Sequence, residues 1–214
     1  MNLQVTEIFH SIQGESTYAG RPCTFVRLTG CPLRCVWCDT AYAFQGGESI
    51  SLEGILKRVT ALGCSLVEVT GGEPLAQKEC ITLLQALVDK GYEVLLETSG
   101  ALPIDNVPPE VHRIVDLKCP GSGEEKKNRW ENLPLLTSQD EIKFVIKDRK
   151  DYDWALDVTR CQHLPDRVNA VLFSPVHGEL NPEQLAEWMK KDQAPARLQI
   201  QLHKYLWPGV EKGI

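Results

Sequence analysis

The chain has 214 residues, and 23 Lys and Arg against 29 Asp and Glu give a formal net charge of −6. Hydrophobic residues make up 43% and charged residues 24% of the sequence, which is typical of a globular protein. We therefore expect a single domain over residues 1–214. The composition excludes an intrinsically disordered protein and a collagen-like protein. The acidic balance argues against a nucleic-acid partner, because binding to phosphate backbones rests on a surplus of Lys and Arg.

No stretch of the sequence reaches the roughly 18 consecutive apolar residues that a membrane helix needs. The N-terminal segment also lacks the basic start and apolar core of a secretory signal. These features predict a cytoplasmic protein with no membrane partner. Thiols stay reduced in the cytoplasm, so the eight cysteines need an explanation other than disulfides.

Short apolar runs alternate along the chain with amphipathic segments. Strands are predicted at 22–28, 65–70, 92–98, 113–118, 141–146, 169–173 and 197–202. Helices are predicted at 51–62 behind a Ser51 N-cap, from Cys80 to Val88, at about 150–160 and from Asn181–Pro182 onward. The alternation predicts parallel βαβ units, whose active sites lie beyond the carboxyl ends of the strands. The irregular segment 119–134 is long enough to be a functional loop.

Directly after the first predicted strand, Cys31, Cys35 and Cys38 form a C-x3-C-x2-C arrangement. Three soft sulfur ligands on one short loop favour zinc, copper(I) or an iron–sulfur cluster. A structural zinc site needs a fourth ligand, which Asp39, His10 or a distant cysteine could supply. A four-iron cluster held by three cysteines instead keeps one iron open for a substrate or cofactor. We expect structural roles for the other five cysteines.

The cysteine triplet, with Trp37 before its last cysteine, resembles the signature of the radical S-adenosylmethionine superfamily. GGEP (71–74), after the second predicted strand, resembles the superfamily motif for the amino group of the cofactor's methionine. The resemblance implies an α/β fold in the form of a partial TIM-like barrel, with parallel strands inside and helices outside. It also implies a [4Fe-4S] cluster whose open iron binds S-adenosylmethionine. Glu73 could accept a hydrogen bond from the cofactor's ammonium group.

Several further segments resemble the 7-carboxy-7-deazaguanine synthase family nearly end to end. They are HSIQGESTYAGRPCTFVRLTGCPLRCVWCDT (10–40), ETSG (97–100), DLKCPGSG (116–123), DEIKFVI (140–146) and LHKYLWP (202–208). This resemblance implies a carbon–nitrogen lyase of the pathway to queuosine. Such enzymes convert 6-carboxy-5,6,7,8-tetrahydropterin to 7-carboxy-7-deazaguanine by radical ring contraction, with loss of ammonia. It further implies a Mg²⁺ requirement, a homodimer and a reductant such as flavodoxin or ferredoxin. No protein acid or base is assigned.

The family resemblance also implies roles for individual residues. The cluster ligands are Cys31, Cys35 and Cys38, and the Mg²⁺ ligand is Thr40, with Asp39 able to hold a metal-bound water. For S-adenosylmethionine it implies Trp37, Cys38 and Asp39 near the cluster, Gly72 and Glu73 at the amino end, Ser138, Gln139 and Asp140 near the ribose, and Ser174, Pro175, Val176 and His177 near the adenine. For the pterin it implies Ile12, Gln13, Gly14, Arg27 as the carboxylate ligand, Thr70, His203 in an alternating strand, and Pro208.

Two features depart from the family pattern. The family usually reads QGEG where this chain has Ser16 after QGE, and the chain continues with GVEKGI beyond Pro208. Two alternatives to the synthase come from other small metalloproteins. One is a radical enzyme that activates a glycyl-radical partner protein, and the other is a non-catalytic iron–sulfur or zinc protein.

Overall fold

The computed structural model describes all residues, Met1–Ile214. The strands are β1 (Asn2–Ile12), β2 (Pro22–Leu28), β3 (Glu48–Ser51), β4 (Leu66–Gly71), β5 (Glu93–Thr98), β6 (His112–Asp116), β7 (Glu141–Ile146), β8 (Ala170–Pro175) and β9 (Arg197–Leu198). The α-helices are α1 (Leu52–Leu62), α2 (Cys80–Asp89), α3 (Arg149–Cys161), α4 (Pro182–Lys191) and α5 (Leu202–Leu206). No helix combines the length and the apolar character needed to cross a membrane.

All nine strands belong to one sheet, in the order β3-β1-β2-β4-β5-β6-β7-β8-β9. From β2 onward, neighbouring strands run parallel in chain order, whereas β1 pairs antiparallel with both β2 and β3. The first and last strands of this order do not pair, so the sheet is open. The predicted α/β fold, a partial barrel of mostly parallel strands, is confirmed.

The two faces of the sheet have different partners. The outer face packs against α1 to α4 in a core of 35 buried residues, to which α1 contributes Ile55 and Val59. Inner-face residues early in the strands form a smaller apolar cluster, which consists of Cys23, Phe25, Leu66, Leu95 and Ile114. Because side chains alternate along a strand, residues two positions further share this inner face. The apolar cluster is therefore the floor beneath the site.

The predicted strands and helices are confirmed with small shifts at their ends, but four elements differ. β1 was not predicted, because it lies near the open edge of the sheet and is only partly buried. β3 was not predicted either. β9 ends at Leu198 rather than at residue 202, and α5 follows it. His203 therefore lies in a helix, not in the alternating strand that we expected.

Candidate active site

A cavity of about 470 Å³ opens on the inner face of the partial barrel. Its lining includes Arg27 from β2, Thr70 from β4, Glu97 from β5, Asp116 from β6 and Lys143 from the middle of β7. The first four of these positions lie at or near the carboxyl ends of parallel strands, where α/β barrels place their active sites. The loops that follow these strands complete the wall.

Cys31, Cys35 and Cys38 all line this cavity. Burial raises the pKa of the Cys31 and Cys35 thiols, and the neighbouring thiols add to the effect. No three His, Cys, Asp or Glu side chains are arranged around one point as ligands of a single ion. A four-iron cluster takes each thiolate at a different iron, so a spread donor set of three soft sulfurs fits it.

A tetrahedral zinc site would need a fourth ligand beside the three thiols, and none of the candidates is placed to provide it. His10 is exposed on β1, and Asp39 accepts a hydrogen bond from Lys204 Nζ at 2.6 Å. Cys119 is buried outside the cavity lining. The three thiols therefore fit a cluster better than a tetrahedral zinc site.

The segment 119–134 supports the cysteine loop from outside. The Val36 amide donates to the Ser122 carbonyl at 3.1 Å, and the Arg34 amide donates to Glu124 Oε1 at 2.6 Å. Short 3-10 turns give this segment its shape, which explains why the sequence reads as irregular. These contacts hold the cysteine loop in place.

The GGEP motif packs directly against the cysteine loop. Gly72 lines the cavity, and the Glu73 amide donates to the Gly30 carbonyl at 2.7 Å. Glu73 itself does not line the cavity. Its carboxylate is fully buried and accepts hydrogen bonds from Leu75, Thr98 and Ser99. Glu73 therefore ties this loop to the end of β5, and its expected contact with a cofactor ammonium stays a prediction.

Replacing Gly72 with alanine is expected to damage the cluster loop. A Cβ atom at Gly72 would lie 2.8 Å from the Cβ of Cys31 and equally close to the Gly30 carbonyl carbon. Because backbone cannot yield as a flexible side chain does, we expect a loss of about 1–3 kcal/mol in unfolding free energy. Iron content after reconstitution should fall as well. Chemical denaturation and iron analysis measure both effects, and wild-type values for both would contradict the expectation.

Only two of the four residues expected near the cofactor's adenine line the cavity. Val176 and His177, just after β8, line the cavity, whereas Ser174 and Pro175 are buried in the strand and do not. Pro175 instead lines a smaller neighbouring cavity, which also contains His177.

Ser138, Gln139 and Asp140 lie outside the cavity lining, and their expected ribose contacts stay a prediction. They precede β7 and so lie at its amino end, opposite the edge that carries the cavity. Asp140 is fully buried in an ion pair with Arg113 at 2.5 Å, and Gln139 donates to the Pro109 carbonyl. Their contacts join loops on the far side of the sheet.

Most residues expected at the pterin line the cavity together, namely Ile12, Gln13, Gly14, Arg27, Thr70 and His203. Gln13 donates to the buried Glu68 carboxylate. Burial, with Glu97 and Glu15 nearby, raises the pKa of Glu68 well above its ordinary value.

The His203 ring packs on Gly14, where an added Cβ would lie 2.9 Å from the ring Cγ. Burial lowers the pKa of His203 below its ordinary value.

Pro208 is exposed and does not line the cavity, and its expected substrate contact stays a prediction. The chain turns back after Pro208 and places Ile214 in the cavity lining.

Ser16 adopts the left-handed conformation with φ 63°, which glycine enters freely and serine rarely. Local bonds hold it there, since its amide donates to Gln199 Oε1 at 2.6 Å and its hydroxyl accepts from the Tyr18 amide at 3.1 Å.

Trp37 lies between the last two cysteines, Asp39 and Thr40 follow them, and all three residues line the cavity. The Thr40 hydroxyl donates to Asp39 Oδ1 at 2.9 Å, while Lys204 from α5 occupies Asp39 Oδ2. A hydroxyl and a carboxylate are the oxygen donors that Mg²⁺ prefers. The pair therefore fits part of a magnesium shell, although Lys204 now supplies the positive charge.

Sequence reasoning missed a network of buried charges in the cavity. Lys143 contacts Glu97 and lies 2.9 Å from Glu15 Oε2 and 4.0 Å from Asp116 Oδ2. Burial alone would lower the pKa of Lys143, but these carboxylates raise it well above its ordinary value. The available signal was a charged residue at an inner position of an otherwise apolar strand, as in EIKFVI.

Comparisons with known proteins place the chain in a family. The model of the radical SAM superfamily matches residues 25–191. The chain is 48% identical to a 7-carboxy-7-deazaguanine synthase of Koribacter versatilis (strain Ellin345), with 99% of this chain and 100% of the relative covered. It is 45% identical to a synthase of the same name from Chlorobaculum tepidum, with 99% and 97% covered. The crystal structure of QueE from Escherichia coli shares the fold, with a TM-score of 0.77, 24% identity and 95% of each chain covered. The chain belongs to the radical SAM superfamily and, within it, to the 7-carboxy-7-deazaguanine synthase family.

Proposed function

We propose that this chain converts 6-carboxy-5,6,7,8-tetrahydropterin to 7-carboxy-7-deazaguanine with release of ammonia, on the pathway to queuosine. The observation that carries the assignment beyond family membership is the lining of one cavity. It brings together three thiols and the Arg27 guanidinium, whose terminal nitrogens make no hydrogen bond within the chain. A cofactor bound by sulfur and a substrate bearing a carboxylate would therefore share one cavity.

Three thiolates, Cys31, Cys35 and Cys38, would hold the [4Fe-4S] cluster, and S-adenosylmethionine would lie between it, Gly72 and the Val176–His177 segment. Bound there, the two groups supply one-electron reduction and hydrogen-atom abstraction. Arg27 would bind the substrate carboxylate through paired charge-assisted hydrogen bonds.

The remaining polar groups of the cavity would orient the bicyclic ring of the substrate. Gln13 and Thr70 lie on neighbouring parts of the wall, and Phe25 belongs to the apolar floor. Fixing the ring between these groups positions its reacting carbon, and the apolar floor keeps water away from a reactive intermediate.

We propose that Thr40 and Asp39 bind Mg²⁺ together with the substrate carboxylate. Lys204 would have to leave Asp39 when the metal enters, since both cations use the same carboxylate. The metal would then neutralise the carboxylate that Arg27 also contacts, and so hold it rigidly while the ring contracts.

The wider assignment rests on the family resemblance. It includes one domain over residues 1–214, a homodimer, a flavodoxin or ferredoxin as reductant, and the cytoplasm as the compartment that keeps cluster thiols reduced. Exposed apolar side chains on the edge strand β9 and on α5, namely Leu198, Tyr205 and Leu206, support a self-association surface.

An anaerobic assay tests the function. The reconstituted protein is mixed with S-adenosylmethionine, reductant, Mg²⁺ and 6-carboxytetrahydropterin, and 7-carboxy-7-deazaguanine is measured by mass spectrometry. We expect a product that disappears when the cofactor, the reductant or the substrate is omitted, and that falls strongly without Mg²⁺. Cofactor cleavage without this product would move the assignment to another substrate or to a partner protein. Zinc in place of iron would exclude radical chemistry.

A further inference from the structure

The guanidinium of Arg27 is held from one side only. Its Nε donates to Glu7 Oε1 at 2.7 Å, and the two side chains are 14% and 16% exposed. The terminal nitrogens have no partner within the chain, and Arg27 lines the cavity. A guanidinium can donate from both its Nε side and its terminal edge. The terminal edge is therefore available to a ligand while the Nε side is anchored.

A β-bulge places Glu7 on the same face as Arg27. Val5 pairs with Leu28 and Glu7 pairs with Arg27, so β1 has one extra residue opposite this step of β2. Val5 packs in the outer core, and regular alternation would send Glu7 to that apolar face as well. The extra residue reverses the alternation and turns the Glu7 carboxylate toward the inner face. The strand thus departs from regular geometry at the one point that lets Glu7 meet Arg27.

The Glu7 carboxylate is itself fixed at both oxygens. The Tyr42 hydroxyl donates to Oε1 at 2.8 Å, and the Gly213 amide donates to Oε2 at 3.1 Å. The C-terminal segment stays beside this pair, since Lys212 Nζ lies 4.7 Å from the centre of the Tyr42 ring. A carboxylate held in this way cannot rotate to follow the guanidinium. It sets the direction of Arg27 rather than adapting to it.

Aromatic rings limit the remaining motion of Arg27. The guanidinium carbon lies 5.8 Å from the centre of the Phe9 ring and 6.0 Å from that of Tyr42. Burial alone would lower the pKa of Arg27, but Tyr42 and Glu7 raise it above its ordinary value. The group stays charged and keeps one orientation.

We propose that Glu7 is a positioning residue that aims the terminal nitrogens of Arg27 at the carboxylate of the substrate. This inference rests on the proposed function, because it assumes that a carboxylated pterin occupies the cavity. Glu7 does not touch the substrate. It acts through Arg27 by removing alternative directions of the guanidinium, so that little orientational freedom is lost when the planar carboxylate binds.

The test compares two ligands that differ only in the carboxylate. Dissociation constants of 6-carboxytetrahydropterin and of tetrahydropterin are measured with the reconstituted holoenzyme, S-adenosylmethionine and Mg²⁺, without reductant. We expect the wild type to prefer the carboxylated ligand, and Glu7→Gln to reduce that preference about tenfold, since charge-assisted pairs depend strongly on geometry. Affinity for tetrahydropterin should stay within about twofold of the wild type. Arg27→Gln should reduce the preference more than Glu7→Gln does, and should leave only the part that Mg²⁺ supplies by binding the same carboxylate.

Further variants separate positioning from a structural effect. Tyr42→Phe removes one hydroxyl from the Glu7 carboxylate and should reduce the preference in the same direction by about threefold, which covers the case in which Glu7→Gln fails to fold. Glu93→Gln breaks an exposed pair with Arg21 and should change neither constant. Equal losses for both ligands in Glu7→Gln and Tyr42→Phe would overturn the role of Glu7. Equal binding of both ligands by the wild type would overturn the proposed substrate and the role of Glu7 with it.

Discussion

Replacing Lys143 with methionine is expected to lower the unfolding free energy by about 3–5 kcal/mol, because it leaves buried carboxylates without their cation. The Lys143 side chain is only 6% exposed and contacts Glu15 and Glu97, with Asp116 nearby. Methionine matches the shape of the aliphatic stem, so the loss measures charge rather than packing. Denaturant unfolding of the protein at pH 7 gives the value.

The same loss should depend on pH. Burial alone would raise the pKa of Glu15, but Lys143 and His203 hold it below its ordinary value. A carboxyl group with a lowered pKa stabilises the fold above its unfolded pKa, and this stabilisation is lost as the pH falls through the folded value. The difference between Lys143→Met and the wild type should therefore shrink below about pH 4, the unfolded pKa of a glutamate.

Lys147→Met is the matched control. Lys147 directly follows β7, and the side chains of Lys147 and its partner Glu179 are 37% and 42% exposed. We expect a change of less than about 1 kcal/mol in that variant. A similarly small change in Lys143→Met would show that the cavity carboxylates do not depend on this lysine for their charge balance.

The sequence predicted the parallel strands well because each one is a short run rich in Val, Leu, Ile and Phe between turns. β1 was not predicted because the bulge after Val5 also interrupts the alternation of inward and outward side chains on which strand prediction rests. The charged residues of the cavity escaped for a related reason. Glu68 and Lys143 lie inside apolar strands, and only the curvature of the sheet turns their face into a cavity.

The cofactor site was predicted unevenly, and strand direction explains the difference. Motifs directly after strands, such as the cysteine triplet and Gly72, lie at the cavity. The segment 138–140 directly precedes a strand, and the structure places it at the opposite end of the sheet. Glu73 follows a strand but turns inward, because Thr98 and Ser99 supply the donors that its carboxylate needs. Such long-range partners are not visible in the local sequence.

Changing Cys31 to alanine is expected to abolish both cluster assembly and turnover. A four-iron cluster held by only two of the cavity thiols, Cys35 and Cys38, would lack a protein ligand on a second iron. Iron and sulfide analysis, the visible absorption of the reconstituted protein and product formation measure the loss. The metal-free protein should unfold within about 1 kcal/mol of the wild type, because Cys31 is only partly buried.

Cys161→Ala provides the control for Cys31→Ala. Cys161 is exposed at the end of α3, away from the cavity lining, so its loss should leave iron content and turnover unchanged. Full iron content and product formation in Cys31→Ala would mean that the triplet does not hold the cluster. Equal losses in both variants would instead point to general thiol damage during reconstitution. Only a loss confined to Cys31→Ala assigns the metal to the loop that follows β2.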